Sequence, residues 1–179
     1  MKLEKVLYTR SYLYFLVFFL FALLGFWFTY FTRLFDQENF RMHLHGISVF
    51  LWCLMLICQA YLIRINARPL HRTIGKLSYL LVPIILFSTV DLLHYIYRAV
   101  VDPDPFALLF VALVLNALVV FVLFYVLAIY NRKQPTVHAR FMLCTVFPMF
   151  TPITDRIINI YIPSLLKNLP TLQVNPLSQ

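Results

Sequence analysis

Five apolar runs, each long enough to cross a bilayer as a helix, occupy almost the whole of this chain: about 11–32, 42–65, 77–99, 105–130 and 141–163. A hydrocarbon core of roughly 30 Å needs about 20 residues at the α-helical rise, and every run meets that length. None alternates polar with apolar residues as barrel strands do, so the backbone must satisfy its hydrogen bonds within each segment, as helices. The spacing predicts an all-α, polytopic bundle of about five spans. It forms a single domain, 1–179, with a polar tail from 164 to 179. The composition agrees, with 62% hydrophobic residues and a mean hydropathy of +0.82. The first run is too long and too aromatic for a signal peptide, and no small-residue cleavage site follows it, so it reads as an uncleaved span.

Lys and Arg give the orientation. The N-terminus carries Lys2, Lys5 and Arg10; the second loop carries Arg64, Arg68, Arg72 and Lys76; the fourth carries Arg132, Lys133 and Arg140. In a five-span chain these lie on one side. The other side mixes Arg33, Arg41, Arg98, Arg156 and Lys167 with Asp36, Glu38, Asp102 and Asp104. The positive-inside rule then places the N-terminus in the cytoplasm and the C-terminus outside. A net charge of +8 is explained by these loops and by attraction to anionic lipid, and no nucleic-acid partner is expected. Cys53, Cys58 and Cys144 fall inside spans without a CxxC pair, which predicts buried small hydrophobes and no disulfide framework.

Prolines punctuate the chain. Asp102-Pro103-Asp104-Pro105 predicts a sharp outer turn, and Gln134-Pro135 ends the fourth helix. Pro83 in the third span, and Pro148 and Pro152 in the fifth, predict kinks, since each removes a backbone hydrogen bond.

Ionisable groups inside lipid are rare and usually functional. Counting about 1.5 Å per residue from the basic ends, Asp91 and Asp155 each lie roughly 21 Å up their helices. Arg156 is level with them, and His94 and His45 lie higher. Arg41, His43, His45, Asp91, His94, Asp155 and Arg156 thus converge on the outer third of the bundle. His43 and His45 are two apart and cannot both face inward; His45, beside Gly46, is the inward candidate. His45 and His94 could be axial ligands of a b-type haem, or could join His43 and Asp91 around a copper or zinc ion. Asp91, Asp155 and Arg156 are the candidates for a structural ion pair, with Asp91–Arg156 as the cross-helix pairing. A polar network that only locks the bundle is the alternative. Polarity at mid-membrane is thin, chiefly Asn116 and Gln59.

A second polar layer lies at the basic side. Leu70-His71-Arg72-Thr73-Ile74-Gly75-Lys76 opens the third span, and Val137-His138-Ala139-Arg140-Phe141-Met142 opens the fifth. His71 and His138 are cofactor candidates, and Arg68, Arg72, Lys76, Arg132 and Arg140 suit phosphate headgroups or haem propionates. Interfacial anchoring of the helix ends is the alternative.

Taken together, His45-Gly46, Gln59, Leu70-His71-Arg72-x-x-Gly75 and His138-Ala139-Arg140-x-Met142 resemble a family of small, uncharacterised bacterial multi-helix membrane proteins, over roughly 42 to 155. The resemblance implies a bacterial inner-membrane protein and carries no activity. The LHRTIG element is also similar to one in bacterial b-type membrane cytochromes, where such a histidine can hold haem. His71 and His94 are some 34 Å apart along a helix, wider than the haem spacing of the diheme cytochromes, which favours a single haem or metal in the outer layer.

There is no HExxH, phosphate loop, nucleophile elbow or histidine box, so no enzymatic reaction is assigned. The sequence points to an integral membrane protein binding haem or a metal ion near its outer face, in redox work or cofactor handling for a respiratory complex. A small proton-linked carrier and an accessory subunit of a larger membrane complex are the alternatives. The phenylalanine-rich first span offers a surface for lipid or for a partner.

Overall fold

The computed structural model describes residues 2–99 and 105–167, and the side chains of 10–98 and 108–163. It holds seven α-helices: α1 (Lys2–Phe26), α2 (Phe40–Arg64), α3 (Arg68–Gly75), α4 (Ser78–Ala99), α5 (Pro105–Tyr130), α6 (Pro135–Cys144) and α7 (Phe147–Lys167), with no strand among the described residues. Among the described residues, four segments are long and apolar enough to cross a membrane: Phe40–Arg64, Arg68–Arg98, Leu108–Tyr130 and Pro135–Pro163. A fifth apolar stretch, Arg10–Phe26, is shorter. The first expected span therefore ends six residues early, where the backbone leaves the α-helix for turns and a 3₁₀ segment at Phe31–Arg33. The expected turn at 102–105 begins outside the described residues, as does most of the polar tail.

Two expected spans are each built from two helices. α3 leads into α4 through Lys76 and Leu77, and α6 leads into α7 through Thr145 and Val146. At both junctions the ladder tightens to i→i−3 bonds, Leu77 N to Ile74 O (2.9 Å) and Val146 N to Leu143 O (3.2 Å). Pro148 sits one residue inside α7 rather than kinking a continuous helix. Its ring opposes the carbonyl four residues back, and that residue, Cys144, is where α6 stops. Pro135 likewise starts α6, a position where its missing N–H costs nothing. Pro83 and Pro152 do lie inside their helices.

The turn from α2 to α3 has a clear local cause. Asn66 is left-handed (φ 59°), a conformation that Asn tolerates better than most residues. Asn66 N–H then bonds Ile63 O (3.1 Å) and Ala67 N–H bonds Leu62 O (2.9 Å). This Schellman pair closes α2 and turns the chain so that Arg68-Pro69 opens α3 across its end. At the other end of α2, Asn39 caps the helix by accepting from Arg41 N–H (3.0 Å).

The long helices form a closed ring: α1 packs on α2, α2 on α4, α4 on α5, α5 on α7, and α7 returns to α1. Its centre is filled by Phe15, Phe18, Trp52, Leu56, Val82, Ile85, Phe121, Tyr125 and Ile153. Lipid is as apolar as these side chains, so close packing holds the ring. α1 and α7 meet at Gly25, where an added Cβ would lie 3.0 Å from Ile153 Cγ2 and 3.1 Å from Ile153 O. Trp52 is wholly buried and stands edge-on to Phe121 and Tyr125, with centroids at 5.3 and 5.8 Å.

Candidate functional site

At the basic end, the α5–α6 and α2–α3 turns fold both short helices back on the bundle, α6 against α5 and α3 against α2. Each carries a histidine in its first turn, and the two imidazoles, His71 and His138, come to 6.4 Å between centroids with their planes perpendicular (89°). His138 Nδ1 lies 2.8 Å from Ala128 O. A carbonyl only accepts, so Nδ1 carries the proton and donates to one of the last carbonyls of α5, a group that a helix end leaves without a partner. His71 Nδ1 lies 3.3 Å from Gln59 O on α2.

Gln59 fixes α3 as well. With its amide turned to suit its neighbours, the nitrogen donates to His71 O (3.0 Å) and the oxygen accepts from Gly75 N–H (3.1 Å); the nitrogen also faces His71 Nδ1. The imidazole tautomer and the amide are therefore linked. With the amide nitrogen donating to Nδ1, the ring proton sits on Nε2; with the proton on Nδ1 instead, the bond runs to Gln59 O and Nε2 keeps its lone pair. One turn on, Ser78 Oγ donates to Gly75 O (2.6 Å) and accepts from Tyr125 OH (2.8 Å), both side chains being buried. Gln59, His71, Gly75, Ser78, Tyr125 and His138 thus form one polar cluster spanning α2 to α6. Arg68, Arg72, Lys76 and Arg132 are exposed at this end, as is Arg140, and Arg132 donates to Tyr79 OH (3.1 Å).

At the opposite end the polar side chains disperse. His43 Nε2 bonds Gln37 O (2.7 Å), which puts the proton on Nε2 and makes Nδ1 the acceptor from Tyr30 OH (3.1 Å). Both nitrogens of His43 are spent. The Tyr30 ring gets there because Gly46 has no side chain, since a Cβ would lie 2.8 Å from Tyr30 Cζ. His45 turns instead toward α4. Thr89 Oγ1 donates to Ile85 O (2.6 Å), so it accepts from His45 Nδ1 (3.3 Å). A turn deeper, Ser48 and Ser88 meet at 3.3 Å. His94 is exposed.

Asp91 pairs with Arg41 (2.9 Å) and not with Arg156. Arg41 is on α2, which packs against α4, whereas Arg156 is on α7, which packs against α1 and α5. Arg156 lies 4.4 Å over the Phe26 ring and donates to Pro152 O (2.9 Å). Asp155, exposed, accepts from Asn159 (2.9 Å). Among the described residues no three of His, Cys, Asp and Glu converge on a point that could hold a metal, so His43, His45, His94 and Asp91 form no common ligand set. The reason is azimuthal: these residues share a depth but face different neighbours.

Ser78, Tyr125 and Thr89 are among the members of these networks that the sequence reading passes over, with Tyr30, Gln37, Ser48 and Asn159. Ser78 carries a usable signal, because it follows the LHRxxG element by three residues. Comparison with protein-family models, curated proteins and solved structures finds no match.

Proposed function

We propose that this chain is an inner-membrane protein that holds a haem or a metal ion between His71 and His138, in redox work or cofactor handling for a respiratory complex. One observation carries this reading. Two imidazoles from separate helices stand 6.4 Å apart, each with Nδ1 against a main-chain carbonyl of a membrane helix. That bond is the usual second contact of a ligating histidine, because it fixes the ring and leaves Nε2 as donor. Metal–nitrogen bonds of about 2.0–2.1 Å from both rings to one ion would suit two imidazoles at about this separation.

Two protein ligands without a third carboxylate or thiolate suit the axial positions of haem iron better than a tetrahedral zinc site. The arginines at the same end, Arg68, Arg72 and Arg132, suit the propionates. The positive-inside rule puts this end in the cytoplasm. A bound haem would supply one-electron chemistry. The chain's own part is to orient the two rings through Gln59 and Ala128 and to exclude water with Tyr125 and Trp52.

The test is an absorption spectrum of purified protein, oxidised and dithionite-reduced, with metal analysis of the same sample after haem or copper is supplied during expression. The reading expects a Soret band that shifts on reduction, or stoichiometric metal, lost in His71→Ala and His138→Ala and kept in His94→Ala. Loss in His45→Ala and His94→Ala alone would move the site to the outer end. A colourless, metal-free protein under these conditions would sink the cofactor reading. A proton-linked carrier is the second reading, favoured by the cross-helix pairs His45–Thr89 and Ser48–Ser88 in the α2–α4 seam.

A further inference from the structure

α5 is the most apolar of the four membrane-length segments and the least buried. Its core-facing residues are Phe121, Tyr125 and Ala128. Along another face, Leu109, Leu113, Asn116, Val120, Leu123 and Leu127 follow each other at alternating steps of four and three residues, with Val120 and Leu127 half-buried. Leu109, Leu113 and Leu123 are each more than half exposed. A four-three repeat is the seam of a left-handed helix pair, and here Leu109, Leu113, Asn116 and Leu123 stand exposed along it.

Asn116 lies on this seam. It is exposed and stands eight residues, about 12 Å, inside the apolar segment that begins at Leu108. Its side chain has no hydrogen-bond partner among the described residues. A primary amide in hydrocarbon without a partner is unfavourable by several kcal/mol in principle. At mid-membrane neither water nor headgroups reach it.

We infer that the α5 seam is a homodimer interface, in which Asn116 of one copy hydrogen-bonds Asn116 of a second. The occupant follows from the amide's chemistry and depth. An amide both donates and accepts, so a second amide satisfies it reciprocally. Copies of one chain insert in the same direction, and a two-fold axis along the membrane normal brings each residue opposite its own counterpart. Asn116 then meets Asn116 at matching depth, flanked by Leu113 and Val120. A single Asn in an otherwise apolar seam also fixes register and the number of strands. This arrangement does not depend on what His71 and His138 hold.

The experiment uses the full chain in liposomes, labelled for energy transfer between copies and diluted with lipid. Wild-type protein should dimerise, with a dissociation constant that rises about threefold to thirtyfold in Asn116→Leu, the range expected for one interhelical hydrogen bond in lipid. Asn116→Gln should retain most of the association. In a background with Cys53, Cys58 and Cys144 replaced, single cysteines at 116 and 123 should cross-link into dimers under oxidation, and cysteines at 118 and 125 should not. A protein that stays monomeric at all dilutions, association indifferent to Asn116→Leu, or cross-linking that ignores the four-three pattern would each overturn the interface. A cofactor spectrum that vanishes in His71→Ala leaves these results unmoved, so the two proposals fail separately.

Discussion

Ser78 and Tyr125 share one hydrogen bond, yet removing the two partners should not cost the same. Ser78 Oγ gives its proton to Gly75 O at 2.6 Å, so the 2.8 Å bond is donated by Tyr125 OH. Ser78 is 4% and Tyr125 8% exposed, and water does not replace a lost partner at either. Tyr125→Phe removes donor and hydroxyl together. Ser78 keeps its bond to Gly75 O and forfeits one accepted bond, a loss of about 0.5–1.5 kcal/mol, near the lower end for a helix pair in lipid. Ser78→Ala strands a buried tyrosine hydroxyl and frees Gly75 O, a cost of about 1–3 kcal/mol. The double variant should cost less than the sum of the singles, because the stranded hydroxyl is gone; a coupling of about 0.6–1.7 kcal/mol is the range measured between membrane helices. The assay is reversible unfolding in mixed micelles titrated with dodecyl sulfate, followed by far-UV circular dichroism and by Trp52 fluorescence. Equal single costs, a larger cost for Tyr125→Phe, or strict additivity would refute the donor assignment. The bond also ties the first turn of α4 to α5.

The glycines offer a second contrast. Gly25→Ala should destabilise by about 1–3 kcal/mol through overpacking, less up to about 1 kcal/mol of helix propensity, because the obstacle includes the Ile153 backbone. Gly75→Ala meets Gln59 only at 3.6 Å and should be neutral or slightly stabilising; the reverse order in the same unfolding assay would contradict the α1–α7 packing. Gln59→Leu should weaken haem or metal binding about tenfold to a hundredfold in a titration of apo-protein while leaving helicity intact. An unchanged affinity would mean that the main-chain Gln59 O, which the substitution keeps, orients His71 without the amide.

Much of the fold is readable as apolar length. α2 and α5 lie within two residues of where the hydrophobic runs place them, because nothing competes with a helix in a segment that must satisfy its own backbone. The junctions are less legible. Pro148 acts on the residue four before it, so its effect appears as a break after Cys144 and not as a kink at its own position. The early end of α1 reflects the same limit, since hydropathy continues through Phe31 while the α-helix ends at Phe26. At the candidate site, Gln59, His71, Gly75 and His138 all stand out in the sequence as unusual residues for their surroundings. Their meeting does not, since it requires two turns to fold α3 and α6 back on the ring. Depth counting placed Asp91 and Arg156 at one level, but a level says nothing of azimuth, and the ring order gives Asp91 to Arg41.

The two ends of the bundle differ in what their histidines leave unused. His43 spends both nitrogens, on Tyr30 and Gln37, and a ring so held is a fixture of the loop after α1. His45 spends Nδ1 on Thr89, but its expected companion His94 is exposed. At the basic end, both rings have Nδ1 against a main-chain carbonyl, and their centroids stand 6.4 Å apart with perpendicular planes. A carbonyl oxygen cannot donate, so in His138 the proton stays on Nδ1 and the lone pair on Nε2; His71 takes the same tautomer when Nδ1 donates to Gln59 O and not when it accepts from the Gln59 amide nitrogen. A neutral imidazole with its second nitrogen free binds metal or accepts a proton; one with both engaged does neither. That difference in proton placement argues for the His71–His138 pair over the outer cluster, although charge and depth alone point the other way.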